Sequence, residues 1–314
     1  MHRVHRDLRR AAATLGALLA TGVVGCAGSG GNAGGSATTS DGTGSRPDGA
    51  TPSDASSAKS PGCGVSTWPP SGHSSLDVNG TERTYTVEIP DGYDPNTPHV
   101  LVLAWHGFMV TADQVASPIT VGNLGRFFVL QPRSEGRAIF VAPQGLETAL
   151  LGTTGPGWDN ANGRDVAFAR ALVDSLRGSY CIDDGRIFSV GVSMGGYLSN
   201  QLGCEMGDVF RAVASIIGGG PLETGGAHCT NPMAAWITHG NQDPVNPFLA
   251  GQLSRDHWAS VNHCGATTTP VGPAGCVAYD GCDPGYPVHW CEFDGGHLIP
   301  DFAPEGIWNF FAQF

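Results

Sequence analysis

Seven short runs rich in β-branched and aromatic residues punctuate this chain: Thr84 to Ile89, Val100 to Trp105, Ala138 to Ala142, Arg186 to Gly191, Ala212 to Ile217, Ala235 to Thr238 and Pro287 to Phe293. Most are apolar at nearly every position. A strand with one wet face alternates apolar and polar residues, whereas a strand covered on both faces does not. The runs therefore predict central strands of a mostly parallel sheet with helices on both faces. Between the third and fourth runs, Asp165 is placed to N-cap a helix reaching Arg177. Val166, Phe168, Ala169, Leu172, Val173 and Leu176 form its apolar face, and Gly178 is placed to end it. Strand and helix alternate again after Gly191 and after Asn246, so the expectation is an α/β fold in one domain over 63–314.

The chain ahead of this domain reads differently. Residues 1–10 carry four arginines and precede an apolar stretch from Ala11 to Val24, too short for the roughly 20 residues that span a bilayer. Residues 1–25 thus read as a signal peptide for export. Val23-Val24-Gly25-Cys26 resembles the bacterial lipobox, which implies acylation of Cys26 and a lipid anchor; the alternative is a plain secretory signal with an incidental cysteine. Ala27, rather than Asp, follows the cysteine, which by the bacterial sorting tendency points to the outer membrane or cell surface. From Ala27 to Gly62 there is no aromatic, Leu, Ile, Val or Met, and 30 of 36 positions are Gly, Ser, Thr, Ala or Pro. Residues 26–62 therefore read as a disordered linker behind the lipidated cysteine, since they can bury no core.

Charge and cysteine content narrow the partners. A formal charge of −12 with one lysine, Lys59, offers no basic patch for phosphates, so nucleic acid is excluded as a partner and the membrane is reached through the anchor alone. Of nine cysteines, eight remain if Cys26 is lipidated, an even number that suits disulfides in an exported chain. A zinc site from Cys276, Cys282, His289 and Cys291 is the competing reading, but the spacing lacks a C-x-x-C knuckle. No metal and no cofactor is expected. If a helix after Ser193 returns antiparallel to the preceding strand, Cys181 and Cys204 meet at one end of the sheet. Cys276 with Cys282 and Cys264 with Cys291 would then be local staples, leaving Cys63 with Cys229.

The chemistry concentrates after the fourth run. Gly191-Val192-Ser193-Met194-Gly195 fits the G-x-S-x-G elbow, in which a tight strand-to-helix turn lifts a serine above a sheet. The pattern alone is weak in a glycine-rich chain. Here Arg186 to Val190 precedes it as a strand, and Leu198, Leu202 and Met206 follow at helical spacing. A nucleophilic Ser193 needs a base and an acid, which follow the serine in this fold class. His297, in Phe293-Asp294-Gly295-Gly296-His297, has glycines that let it fold back over the serine. His239 is the rival base and otherwise packs at a strand end. Asp243 follows a buried strand, with Asp280, Asp283 and Asp294 as rival acids. Val100 to Trp105 leads into His106-Gly107-Phe108, so the N–H groups of Phe108 and Met194 are the expected oxyanion donors. Trp158, on a glycine-flanked loop, is a candidate substrate wall or a core cap.

His106-Gly107, Tyr180-Cys181-Ile182-Asp183, Arg186-Ile187-Phe188, GVSMGGYLSNQLGCE, His239-Gly240-x-x-Asp243 and Gly295-Gly296-His297 occur in this order along the chain. Together they resemble extracellular feruloyl esterases and polyhydroxybutyrate depolymerases of the carbohydrate esterase family 1 type. The resemblance covers about 62–314 and implies an α/β-hydrolase fold with no large lid and a Ser193, Asp243, His297 triad. It also places Gly157-Trp158-Asp159-Asn160 near the substrate. Many depolymerases carry cysteine where this chain has Phe108. The expectation is an exported, lipid-anchored serine esterase on feruloyl or acetyl esters of plant polysaccharide. The alternatives are a polyhydroxybutyrate depolymerase and a noncatalytic surface-binding lipoprotein that keeps the fold.

Overall fold

The computed structural model describes residues 59–222 and 229–314. The signal peptide, Cys26 and most of the linker lie outside the described residues. The folded chain starts slightly before Cys63: Lys59 bridges Asp183, the Ser60 N–H donates to the Ile182 carbonyl at 3.0 Å, and the Gly62 N–H donates to the Arg177 carbonyl at 2.7 Å.

Along the chain come β1 (Gly72–Val78), β2 (Thr81–Glu88), β3 (His99–Trp105), α1 (Ala112–Ala116), β4 (Ala138–Pro143), β5 (Leu146–Leu150), β6 (Thr153–Gly157), α2 (Arg164–Ser179), β7 (Ile182–Val192) and α3 (Met194–Glu205). Then follow β8 (Ala212–Ile216), β9 (Ala234–Gly240), α4 (Phe248–Val261), β10 (Thr268–Val271), β11 (Cys276–Tyr279), β12 (Val288–Phe293) and α5 (Ala303–Phe311). Ten strands form one sheet in the order β1-β2-β4-β3-β7-β8-β9-β12-β11-β10, and β5 pairs with β6 as a separate hairpin. The pairs from β4 through β12 are parallel, while the outer strands at both edges add antiparallel. All seven runs read from the sequence are strands here. β1, β5, β6, β10 and β11, which carry polar or alternating residues, were not among them.

Period-two geometry explains the continuous apolar runs. In β3, Leu101, Leu103 and Trp105 join Phe168, Leu172, Leu198 and Trp258 on the face covered by α2, α3 and α4. Val100, Val102 and Ala104 join Phe127, Phe140, Ile307 and Phe311 on the other face, under α5. Both faces are dry, so neither set can be polar.

Two local expectations are corrected. The N-cap of α2 is Gly163, and the Asn160 side-chain oxygen accepts the N–H groups of Asp165 and Val166, each at 3.1 Å. Asp165 is thereby free to face Arg83. Nor does Gly178 stop the helix, which continues to Ser179 and ends where Tyr180 turns to extended backbone.

All four expected disulfides are also corrected: the bonds are Cys63–Cys181, Cys204–Cys229, Cys264–Cys282 and Cys276–Cys291. The helix-return argument failed on length. Cys204 lies 11 residues after Ser193, about 16 Å at helical rise, whereas Cys181 lies 12 residues before it in an extended strand, roughly 40 Å away. The helix ends level with the middle of β7, and the segment around Ser60 brings Cys63 to Cys181 instead. Cys276 stands directly opposite Cys291 in the β11–β12 register, which removes both from the expected staples. With these bonds formed, the thiolates of the zinc alternative are already used.

Candidate active site

The turn between β7 and α3 is dictated by how closely its backbone packs. A methyl group on Gly191 would lie 2.0 Å from the Gly195 carbonyl oxygen, and one on Gly195 would lie 2.1 Å from the Trp105 carbonyl oxygen. Both glycines of the motif are therefore required by α3 lying against β7 and β3. Between them Ser193 is held at φ 55°, ψ −118°, a region costing on the order of 1–3 kcal/mol for a residue with a side chain. Its N–H donates to the Ile216 carbonyl at 2.9 Å, and its carbonyl accepts from Gly196 and Tyr197. These bonds hold the strain in place and leave the hydroxyl partly open to solvent.

Two further strand ends complete the arrangement. The Ser193 hydroxyl lies 2.9 Å from His297 Nε2, and His297 Nδ1 lies 2.7 Å from Asp243 Oδ2. With Nδ1–H donating to the carboxylate, Nε2 is free to accept from the serine. Asp243 leaves β9 and His297 leaves β12, which are parallel neighbours. The two loops grip each other: the Gln242 N–H donates to the Gly295 carbonyl at 3.0 Å, and a methyl on Gly240 would sit 2.4 Å from that same oxygen. Burial by itself would raise the Asp243 carboxyl. The bond from His297 and the N–H groups of Asn246 and Val245 outweigh it and hold the carboxyl below its ordinary range. Asp280 and Asp283 bond Thr269 and His263, and Asp294 bonds Gln242.

Asn246 was missed by sequence reasoning. Its Nδ2 donates to the carbonyls of Ile217 and Gly218, its Oδ1 accepts from the Tyr197 hydroxyl at 2.9 Å, and its carbonyl accepts from His239 Nε2 at 2.9 Å. One side chain ties the acid turn to α3 and to the loop after β8. His239 is fully buried, and its Nε2 stands 3.6 Å from Asp243 Oδ2; it packs at the strand end and makes no contact with Ser193. Burial lowers its pKa, which keeps it neutral beside the carboxylate.

The loop after β3 is held by a second histidine. His106 Nε2 accepts the Gly145 N–H at 2.9 Å, so Nδ1 carries the proton and donates to the Gly107 carbonyl at 2.7 Å. Trp158 donates its indole N–H to the His106 carbonyl at 2.8 Å, and its own N–H points at Met194 Sδ. The Trp158 ring is 5% exposed and meets Trp105 edge-on, which places it beneath the loop, in the manner of the core cap. Phe108 and Met194 both border Gly157, where a methyl would approach Met194 Sδ to 2.8 Å and the Phe108 ring to 3.1 Å.

A buried histidine, His106, and a half-buried one, His289, make stability depend on acid. Burial pushes His106 down to about 4, and His289, packed 4.7 Å from the Phe310 ring, down to about 4 as well. Both are neutral in folded and unfolded chains above about pH 6.5. As pH falls from there toward 4, the unfolded chain takes up protons the folded one cannot, so each group removes roughly 3 kcal/mol of stability. Urea unfolding at pH 7 and pH 4.5 should show this loss, and His289→Phe should reduce it. An unchanged pH dependence in that variant would show that His289 does not contribute.

Beside this geometry stands a similarity to known proteins over most of the chain. No family model matches. The chain is 34% identical to feruloyl esterase C of Emericella nidulans over 265 residues, covering 81% of this chain and 91% of that protein. It is 32% identical to feruloyl esterase D of Neurospora crassa over 282 residues, covering 84% and 94%. Among solved structures, a carbohydrate esterase family 1 ferulic acid esterase of Anaeromyces mucronatus, solved with ferulic acid, superposes with a TM-score of 0.52 at 19% identity over 79% of this chain and 91% of that one. An acetyl xylan esterase from Aspergillus awamori gives a TM-score of 0.56 at 14% identity over 77% and 100%. These two share the fold. By the fungal relatives, and in keeping with the ordered motifs around Ser193, Asp243 and His297, the chain belongs to the feruloyl esterase family, with an α/β-hydrolase fold.

Proposed function

We propose that this protein is an exported serine esterase that hydrolyses feruloyl or acetyl esters of plant polysaccharide. The unbroken hydrogen-bond chain from Ser193 through His297 to Asp243 carries the reading. In this mechanism Ser193 Oγ attacks the ester carbonyl carbon while its proton passes to His297 Nε2. The N–H groups of Phe108 and Met194 receive the oxyanion; Met194 is the first residue of α3, where helical N–H groups lack partners. Collapse of the tetrahedral intermediate breaks the bond to the alkoxy oxygen, which leaves as an alcohol with the proton from His297. Water, deprotonated by the same imidazole, then hydrolyses the acyl-enzyme. Asp243 stays ionised, orients the imidazole and stabilises its cation. No cofactor enters these steps.

Purified protein should release ferulate from methyl ferulate or acetate from acetylated xylan, and a fluorophosphonate probe should label Ser193. Cleavage of hydroxybutyrate oligomers but of neither of those esters would overturn the substrate and leave the triad. No hydrolysis and no labelling would make the chain a binding protein. The membrane anchor belongs to the same proposal: Val23-Val24-Gly25-Cys26 supports acylation of Cys26. Cys26→Ser should release soluble protein or leave it unprocessed, and unchanged membrane partitioning would defeat the anchor.

Trp158 acts in this reading as a positioning residue for the oxyanion loop. Trp158→Phe removes the bond to the His106 carbonyl and should cost about 1–2 kcal/mol of stability. It should lower kcat on methyl ferulate and on a short acetyl ester by similar factors, with KM little changed. Loss confined to methyl ferulate would restore the substrate-wall role.

A further inference from the structure

The strained serine rests against a second strained residue. Ser193 stands at φ 55°, and Ile217, a β-branched residue for which left-handed backbone is an outlier, stands at φ 46°. Backbone of this kind persists where the surroundings over-determine it. One hydrogen bond joins the pair: the Ser193 N–H donates to the carbonyl of Ile216, the residue before Ile217, at 2.9 Å. The Ile217 N–H donates to the Thr238 carbonyl at 2.8 Å. Asn246 Nδ2 then takes the next two carbonyls of the loop, Ile217 at 2.9 Å and Gly218 at 3.0 Å, which uses both of its N–H groups.

The same asparagine closes the turn that presents the acid. Asp243 Oδ1 accepts the N–H groups of Val245 at 2.8 Å and Asn246 at 2.9 Å, so the direction from which Oδ2 meets His297 Nδ1 follows that turn. Pro244 and Pro247 bracket Val245 and Asn246 and have no N–H with which to anchor the turn, and Val245 is 46% exposed. Asn246 attaches it to three elements. Its carbonyl accepts from the buried His239 Nε2 on β9 at 2.9 Å, its Nδ2 holds the loop after β8, and its Oδ1 accepts from the Tyr197 hydroxyl on α3 at 2.9 Å. Tyr197 lies one turn into α3 and donates its own N–H to the Ser193 carbonyl at 3.1 Å. A methyl on Gly219 would come 2.4 Å from the Tyr197 ring, so ring and loop are packed without a gap.

We propose that Asn246 is a positioning residue for the reaction: by tying the acid turn to the loop that holds the Ser193 N–H, it sets Asp243 and the strained serine in one frame on either side of His297. The role rests on the serine-esterase reading above. Among the described residues Asn246 bonds neither the Ser193 hydroxyl nor His297, so it acts through the Asp243 carboxylate. Without the carboxamide, two loop carbonyls and the Tyr197 hydroxyl lose their partner and the turn is free to pivot about its prolines. Oδ2 then leaves the line of His297 Nδ1, and the imidazole receives the serine proton with weaker support. Ester binding ahead of that step does not depend on this line. The transition state therefore loses more than the bound substrate does.

The test measures Asn246→Ala and Tyr197→Phe in the full chain, each alone and combined with Asp243→Asn. Asn246→Ala should lower kcat on methyl ferulate roughly 10²-fold with KM within about threefold, as expected for a misplaced catalytic group. In the Asp243→Asn background, where the carboxylate is already gone, the same change should lower kcat by no more than about threefold. Tyr197→Phe keeps both bonds to the loop carbonyls, so its loss should be smaller, about threefold to tenfold, and should likewise vanish behind Asp243→Asn. It decides the question by the same comparison should Asn246→Ala not fold. Wild-type kcat with a lowered Tm would show that Asn246 only holds the loop together, and a rise in KM at unchanged kcat would make it part of the substrate pocket; either overturns the proposal. So does a loss of equal size with and without Asp243→Asn. A wild type that cleaves no ester and takes no fluorophosphonate label would sink the esterase reading and this role with it, whereas the other adverse outcomes overturn the role and leave that reading intact.

Discussion

Ser193→Ala and His297→Ala are each expected to lower kcat by on the order of 10⁶, and the double variant should be little worse than either alone. The reason is geometric. His297 bonds Ser193 at 2.9 Å and Asp243 at 2.7 Å, so in the proposed mechanism the serine proton passes to an imidazole that the ionised carboxylate holds, and the three groups act as a unit. Removing the serine removes the acyl-enzyme path, and removing the imidazole leaves a hydroxyl that cannot give up its proton. Asp243→Asn should be milder, about 10⁴, because the amide keeps the shape but favours the wrong imidazole tautomer. Steady-state kinetics on methyl ferulate, with thermal unfolding to show that each variant is folded, would check this. Losses that multiplied in the double variant would mean that Ser193 and His297 act independently.

The largest expected effect on stability lies away from the serine. Arg83 on β2 and Asp165 on α2 form an ion pair at 2.9 Å with side-chain exposures of 2% and 0%, and the guanidinium lies 4.1 Å from the Phe168 ring centre. Burial lowers the arginine and raises the carboxyl, while each partner favours the charge of the other. Arg83→Met takes from the buried carboxylate its direct partner and leaves Arg164 at 4.0 Å as the nearest cation, which should cost about 3 kcal/mol. For a domain of this size that corresponds to a fall in Tm of roughly 10 °C. Arg83→Met with Asp165→Leu should recover much of the loss, since no orphaned charge remains. Because Asp165 Oδ2 also accepts the Asn160 N–H at 2.8 Å, the single variant should loosen the loop that follows Trp158 and lower kcat as well. A single variant as stable as wild type would show that the pair contributes nothing.

What could be read along the chain was what depends on neighbours in sequence. The elbow glycines, Ser193 between them and the helix-spaced leucines behind lie within a few residues of one another, so their local pattern carries them. His297 was legible because glycines mark a loop free to fold back. Asn246 was not, because its partners Ile217, Gly218 and Tyr197 lie 28 to 49 residues away and an asparagine after a strand has no distinctive spacing. The Arg83–Asp165 pair spans 82 residues and was equally silent. Asp165 was instead read as a cap, the commonest use of such a residue at a helix start.

The amino-acid sequence by itself determined the central strands and the strand-to-helix elbow. Each follows from short-range rules: period-two burial, and glycine where backbones touch. Only the tertiary structure decided which cysteines met, because a helix advances 1.5 Å per residue and a strand about 3.3 Å. Elements of similar residue count therefore end at different heights on the sheet. It also decided that Trp158 lies under the loop after β3, since the indole N–H finds the His106 carbonyl only once β3 and the hairpin stack. The register of parallel strands, set by packing on both faces, brings the ends of β7, β9 and β12 to one side.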